Sequence, residues 1–185
     1  VTSRKDGQTL YKPYVMLDRK ITGVDKDGKT FEGTIKVAVI GFTPPPILSW
    51  DKRWLDGKVD VQGVVEAAGK YVPMARAEGA DLVIAASHGG FDSRTYSATM
   101  ENANYHLAKV AGIDGILMGH SHSEFPNAAC TTTDCNASGV DKVKGSLHGV
   151  PAVMPSYWGK AIGVIQYSLE VKNGKWSVVR DKTQV

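Results

Sequence analysis

Leu82-Val83-Ile84-Ala85-Ala86-Ser87-His88-Gly89-Gly90 and Gly115-Ile116-Leu117-Met118-Gly119-His120-Ser121-His122 read alike: a short apolar run, then histidine among small residues. Apolar runs of this length bounded by glycine suit strands buried on both faces. His88 and His120 are separated by about one strand-helix-strand unit, roughly 30 residues. A right-handed crossover would return both to the carboxyl edge of one parallel sheet. His120 and His122, two apart in an extended segment, would project to the same side because side chains alternate. His88, His120 and His122 are therefore expected to converge on a metal. The lone pair of a neutral imidazole suits zinc, manganese, iron or cobalt, whereas magnesium and calcium prefer oxygen. A single histidine after a strand is more often solvated or hydrogen-bonded. Three of them at strand ends carry the metal reading.

Working outward, Tyr14 to Thr22 and Phe31 to Phe42 read as strands around Asp25-Lys26-Asp27-Gly28, whose Asp-Gly step favours a tight hairpin. Pro44-Pro45-Pro46 stops the second strand. Val61 to Glu78 has apolar residues at Val61, Val64, Val65, Ala68, Val72 and Ala75, the spacing of a helix, with a kink predicted at Pro73. After the Leu82 strand come a polar loop from Phe91 to Ser97, a helix from about Ala98 to Val110, and the Ile116 strand. The carboxyl ends of these strands carry Thr43-Pro44, His88 and His120. Ala152 to Met154, Ala161 to Val171 and Trp176 to Val179 alternate like an antiparallel meander that turns at Lys172-Asn173-Gly174-Lys175. The predicted class is α/β, a mixed sheet with flanking helices that ends in an antiparallel meander.

Ser87-His88-Gly89-Gly90 followed by Gly112-Ile113-Asp114-Gly115-Ile116-Leu117-Met118-Gly119-His120-Ser121-His122 resembles the second half of a calcineurin-like metallophosphoesterase domain. Met100-Glu101-Asn102-Ala103-Asn104-Tyr105-His106-Leu107-Ala108, Val150-Pro151-Ala152-Val153-Met154-Pro155 and Trp158-Gly159 narrow the resemblance. It is to the bacterial 2',3'-cyclic-nucleotide 2'-phosphodiesterase/3'-nucleotidases within the 5'-nucleotidase group, from about Tyr11 to about Val179. The resemblance implies a periplasmic hydrolase with two divalent transition metal ions (manganese, zinc, cobalt or iron). His88 and His120 would hold one ion and His122 the other. Hydrolysis of 2',3'-cyclic nucleotides and 3'-nucleotides is the implied activity; a 5'-nucleotidase, a nucleotide-sugar hydrolase, or a non-catalytic metal-binding module are the alternatives.

That family also uses an Asp-X-His, a bridging aspartate and a Gly-Asn-His element, and none of these occurs in the sequence, where Asn104-Tyr105-His106 is not Asn-His. Residues 1–185 are therefore expected to form one domain, a partial metallophosphoesterase domain without its N-terminal metal-binding half, and to be inactive alone. The expected partners are a nucleotide substrate, that N-terminal half, and a C-terminal nucleotide-binding domain.

With 42% hydrophobic residues among 185, the chain can fill one core. Its 22 basic and 19 acidic residues nearly balance and are scattered, so neither a nucleic-acid groove nor an anionic membrane patch is indicated. No apolar stretch nears the roughly 20 residues that span a bilayer. Cys130 and Cys135 sit in a polar loop; with His122 they fall short of the usual four zinc ligands. A disulfide or two free thiols remain, and a disulfide fits the periplasmic setting implied by the resemblance.

The remaining polar residues point less clearly to chemistry. His106, inside a helix, and His148, without a partner at metal spacing, suit packing or surface roles. Arg94 lies on a loop that can face a phosphate, though exposed arginines are common. Trp158 would wall the site by family analogy, or pack in the core. Asn102 and Asn104 can face solvent or the cleft. Ser87-His88 and Ser121-His122 lack the orienting acid and glycine elbow of a serine hydrolase.

Overall fold

The computed structural model describes residues 1–24, 28–172 and 175–185, with Phe31, Lys172, Lys175 and Asp181 described by backbone alone. The expected turns at Asp25-Lys26-Asp27 and Asn173-Gly174 lie outside the described residues. The strands are β1 (Thr2–Ser3), β2 (Tyr14–Val24), β3 (Thr30–Phe42), β4 (Val59–Asp60), β5 (Leu82–Ser87), β6 (Gly115–Met118), β7 (Glu124–Phe125), β8 (Val140–Asp141), β9 (Ser146–Leu147), β10 (Val150–Pro155), β11 (Leu169–Lys172) and β12 (Lys175–Val178). The helices are α1 (Ile47–Trp50), α2 (Lys52–Leu55), α3 (Val64–Ala77) and α4 (Asn104–Leu107).

Alternation along the central strands builds both faces of a mixed sheet ordered β2-β3-β5-β6-β10-β9-β8, with β7 also on β10. Antiparallel β2 flanks β3; β3, β5, β6 and β10 run parallel to one another, and β7 and β9 pair antiparallel with β10. Ala38, Ile40 and Phe42 of β3 and Val83 and Ala85 of β5 face one way, into the main core with Val64, Ala68, Val72 and Ala75 of α3. The two alanines of that helical stripe let α3 lie close to the strands. On the other face Ile35, Leu82 and Ile84 are covered by Tyr167 and by Leu169, Trp176 and Val178 of the β11–β12 hairpin. No helix among the described residues is long and apolar enough to cross a membrane.

The amino ends of β5 and β6 are locked to the end of α3 by one side chain. The Arg76 guanidinium donates to the carbonyls of Ala80 (3.0 Å), Asp81 (2.6 Å) and Gly112 (2.9 Å) and pairs with the Asp114 carboxylate. Asp114, 7% exposed, also accepts the Val83 N–H at 2.9 Å.

Two expected elements differ. The helix over Ala98 to Val110 is a single turn, α4: at its expected start the Thr99 N–H bonds the Ser97 side chain (3.3 Å), a local bond of the kind that competes with helix, and Ala103 pairs with Phe91 as an isolated antiparallel bridge. The meander is also smaller than expected. Of the segments expected in it, Ala152 to Met154 falls in β10, which joins the main sheet in parallel with β6, while β11 and β12 pair as a separate antiparallel hairpin.

β9 and β10 are joined by His148-Gly149, both at positive φ (49° and 76°), the sign pattern of a type I′ hairpin turn. The His148 ring meets Tyr105 edge-on, 4.5 Å between centres, and its Nε2 is buried with no hydrogen-bond partner among the described residues. Burial, then the positive charges of Lys109 and His106, hold its pKa below the usual imidazole value. The unfolded chain protonates this ring more readily than the folded one. Stability is therefore expected to be full at neutral pH and to fall as the pH drops through about 6.5 towards the depressed folded value. Thermal melts across that range check this: His148→Asn, which tolerates positive φ, should flatten the profile, and an unchanged profile would contradict the assignment.

Candidate metal centre

β3, β5 and β6 end level with one another, Phe42 opposite Ser87 and Ser87 opposite Met118. The loops leaving these strands therefore emerge at one edge of the sheet. The His88 N–H donates to the Phe42 carbonyl at 2.9 Å. β5 and β6 each leave through a three-residue turn centred on histidine: Gly89 N–H bonds the Ser87 carbonyl (2.9 Å), and Ser121 N–H bonds the Gly119 carbonyl (2.8 Å). A Gly119 N–H to Gly89 carbonyl bond, 3.2 Å, ties the turns together. The His88 and His120 rings end 5.1 Å apart, centre to centre.

The Gly119–His122 segment is not extended. His120 and His122 have φ of 66° and 58°, in the left-handed region that costs a bulky residue about 1–3 kcal/mol. Alternation therefore does not set their directions. His122 stacks on Tyr157, ring centres 5.0 Å apart, while His120 stacks on Trp50 at 4.7 Å. The structure brings His88 and His120 together and places His122 on a separate aromatic wall. Among the described residues no group of three or more His, Cys, Asp or Glu side chains can hold an ion.

The segment 101–104 clips the two turns in place. Asn102 Oδ1 accepts the Gly90 N–H (2.8 Å), Asn104 Nδ2, fully buried, donates to the Gly89 carbonyl (2.6 Å), and Glu101 Oε1 lies 2.6 Å from His120 Nε2. A Cβ at Gly90 would sit 2.6 Å from Ser121 Oγ and 3.1 Å from Asn102 Oδ1, so only glycine admits this approach. Sequence reasoning left both asparagines open and passed over Glu101. The usable signal was the polar trio Glu101, Asn102 and Asn104 inside a stretch otherwise read as a helix.

Other candidates are engaged elsewhere. Arg94, exposed, grips the buried Asp92 carboxylate through Nε and Nη2, which holds the Asp92 pKa below its usual value. His106 Nε2 contacts the Arg94 carbonyl at 2.8 Å. Trp158 is 88% exposed and edge-on to Tyr157, so it is not core.

Cys130 and Cys135 are joined in a disulfide, with Cys135 buried. The bond sits beside a 3-10 turn at Asp134–Asn136, where Asp134 Oδ1 accepts both the N–H (2.8 Å) and the Oγ–H (2.7 Å) of Ser93. The cross-link thereby braces the loop after His88. Replacing both cysteines with serine is expected to cost about 2 kcal/mol by loop entropy, a melting shift of about 4–8 °C. Amide exchange at Ser93 should quicken in the same variant, and an unchanged rate there would contradict the bracing role.

No family model matches the chain. It is 40% identical over 180 residues to the 2',3'-cyclic-nucleotide 2'-phosphodiesterase/3'-nucleotidase of Yersinia enterocolitica, an alignment spanning 97% of this chain and 26% of that protein. It is 41% identical over 180 residues to the trifunctional nucleotide phosphoesterase YfkN of Bacillus subtilis, spanning 97% of this chain and 12% of the relative. The crystal structure of the calcineurin-like phosphoesterase YfkN from Bacillus subtilis matches it with a TM-score of 0.86 and 38% identity, over 99% of this chain and 52% of that one. The chain thus spans about a quarter or less of the length of these curated relatives. Over nearly its whole length the chain shares a fold and about two-fifths of its residues with the calcineurin-like phosphoesterase YfkN and its nucleotidase relatives.

Proposed function

We propose that this chain supplies one side of a dinuclear metal centre in a nucleotide phosphoesterase whose whole form hydrolyses 2',3'-cyclic nucleotides and 3'-nucleotides. The observation that carries this is the pairing of His88 and His120 where two parallel strands end level. Their donor atoms fit a transition ion, two imidazole nitrogens on an open edge of the sheet. His88 and His120 would hold one ion and His122 the other, with the bridging carboxylate contributed by other parts of the parent domain. When bound, such ions polarise the phosphoryl group and supply hydroxide near neutral pH.

The chain's own residues present and orient these nitrogens. The turns at His88 and His120 fix where each ring leaves the sheet, and Trp50 covers one face of His120, keeping water from that side. Arg94 is already paired with Asp92, which argues against its gripping phosphate. Base recognition is assigned to the C-terminal nucleotide-binding domain of the parent. The proposed compartment is the periplasm; the Cys130–Cys135 bond supports it, since disulfides persist where the surroundings are oxidising.

Turnover of 2',3'-cyclic AMP and 3'-AMP with manganese tests the proposal, using this chain beside its full-length parent. The parent is expected to cleave both, and the isolated chain to run no faster than its own His120→Ala variant. Parent-like turnover by the chain would overturn the half-site reading. A parent that spares both substrates and cleaves 5'-AMP would favour a 5'-nucleotidase.

A further inference from the structure

The Nε2 edge of the His120 ring meets a carboxylate. Glu101 Oε1 lies 2.6 Å from His120 Nε2, while Trp50 stacks on the ring face and the left-handed backbone fixes where the ring departs. Glu101, half-exposed, belongs to the same clip that holds Gly89 and Gly90 through Asn104 and Asn102, and those hydrogen bonds anchor the segment that carries it. A carboxylate only accepts. A neutral imidazole facing it must carry its proton on Nε2, which leaves the lone pair on Nδ1. Histidines that bind metals usually give their second N–H to such a partner, which fixes the tautomer and raises the basicity of the binding nitrogen.

We infer that Glu101 is a positioning residue: it holds His120 as the Nε2–H tautomer and so presents Nδ1 to the cation. The metal half of this inference rests on the function proposed above. The tautomer half stands on the metal-free protein alone.

Nitrogen-15 correlation spectra of the metal-free chain at alkaline pH, with His120 assigned by difference against His120→Asn, read the tautomer directly. Wild type is expected to hold His120 almost wholly as Nε2–H. Glu101→Gln retains an accepting oxygen at the same reach and should stay close to that. Glu101→Ala should let the Nδ1–H form appear. His106 and His148 keep their patterns in every folded variant and so report any loss of structure. Manganese or zinc affinity measured on the same proteins should fall about 10–100-fold in Glu101→Ala and only a few-fold at most in Glu101→Gln. An unchanged His120 tautomer in Glu101→Ala would overturn the inference, and so would Glu101→Gln behaving like the alanine variant. A tautomer change in a chain that takes up no metal at all would support the positioning role and overturn the metal assignment instead.

Discussion

Alanine at His120 is expected to remove nearly all manganese or zinc uptake by the chain, and to slow phosphodiester hydrolysis by the parent at least about 10³-fold. The first effect should exceed the 10–100-fold typical of a residue that only orients a metal ligand. The second reflects the several kcal/mol that a Lewis-acid ion contributes at a phosphoryl transition state, since ~4 kcal/mol is about a thousandfold. Alanine also inherits a φ of 66°, so part of its effect is backbone strain. His120→Asn separates the two, because asparagine accepts left-handed geometry without supplying an imidazole. Calorimetric titration should show both variants silent, with His148→Asn binding like wild type. Equal uptake by wild type and a His88→Ala/His120→Ala double variant would exclude a metal site at this edge.

Arg76→Ala should be among the most destabilising single substitutions in the chain. It would strip the carbonyls of Ala80, Asp81 and Gly112 of a donor and leave Asp114, 10% exposed in its side chain, without its close partner. Breaking a buried pair from one side costs about 3–5 kcal/mol. Arg180 lies 3.6 Å from the same carboxylate and offsets part of that, so the lower end is expected, a melting shift of about 6–12 °C. Chemical denaturation reads it; a loss under about 1 kcal/mol would mean that Arg180 takes over the contact. Metal affinity should be unaffected, since Arg76 acts at the amino ends of the strands.

The strands were legible wherever burial obeys a simple period. β3 and β5 alternate between two cores, and the stripe of α3 fell on Val64, Ala68, Val72 and Ala75 as its spacing predicts. β10 was harder. Its run from Val150 to Met154 is buried on both faces, the mark of a central strand, but Pro151 and Pro155 argue against a place inside a sheet. Both prolines sit near its ends, opposite Ser146 and Glu124 of short antiparallel partners. At the site, the meeting of His88 with His120 could be read from strand length and spacing. The left-handed turns could not, because a period-two rule carries no information about a Ser121 N–H turning back to Gly119. Nor could the clip, whose asparagines and glutamate look like the polar face of a helix until their acceptors and donors are known.

Apart from Phe42 and Trp50, the groups named as orienting His88 and His120 all lie in the single stretch 87–121. The half-site is thus a contiguous cassette within one β-α-β unit. Its members share partners, so substitutions at Gly90, Glu101, Asn102, Asn104 and Ser121 should be strongly epistatic, each changing what the next one costs. Changes at the far ends of the same strands should combine with them additively. A cassette of this kind can be inherited, exchanged or lost as a unit while the sheet beneath it diverges.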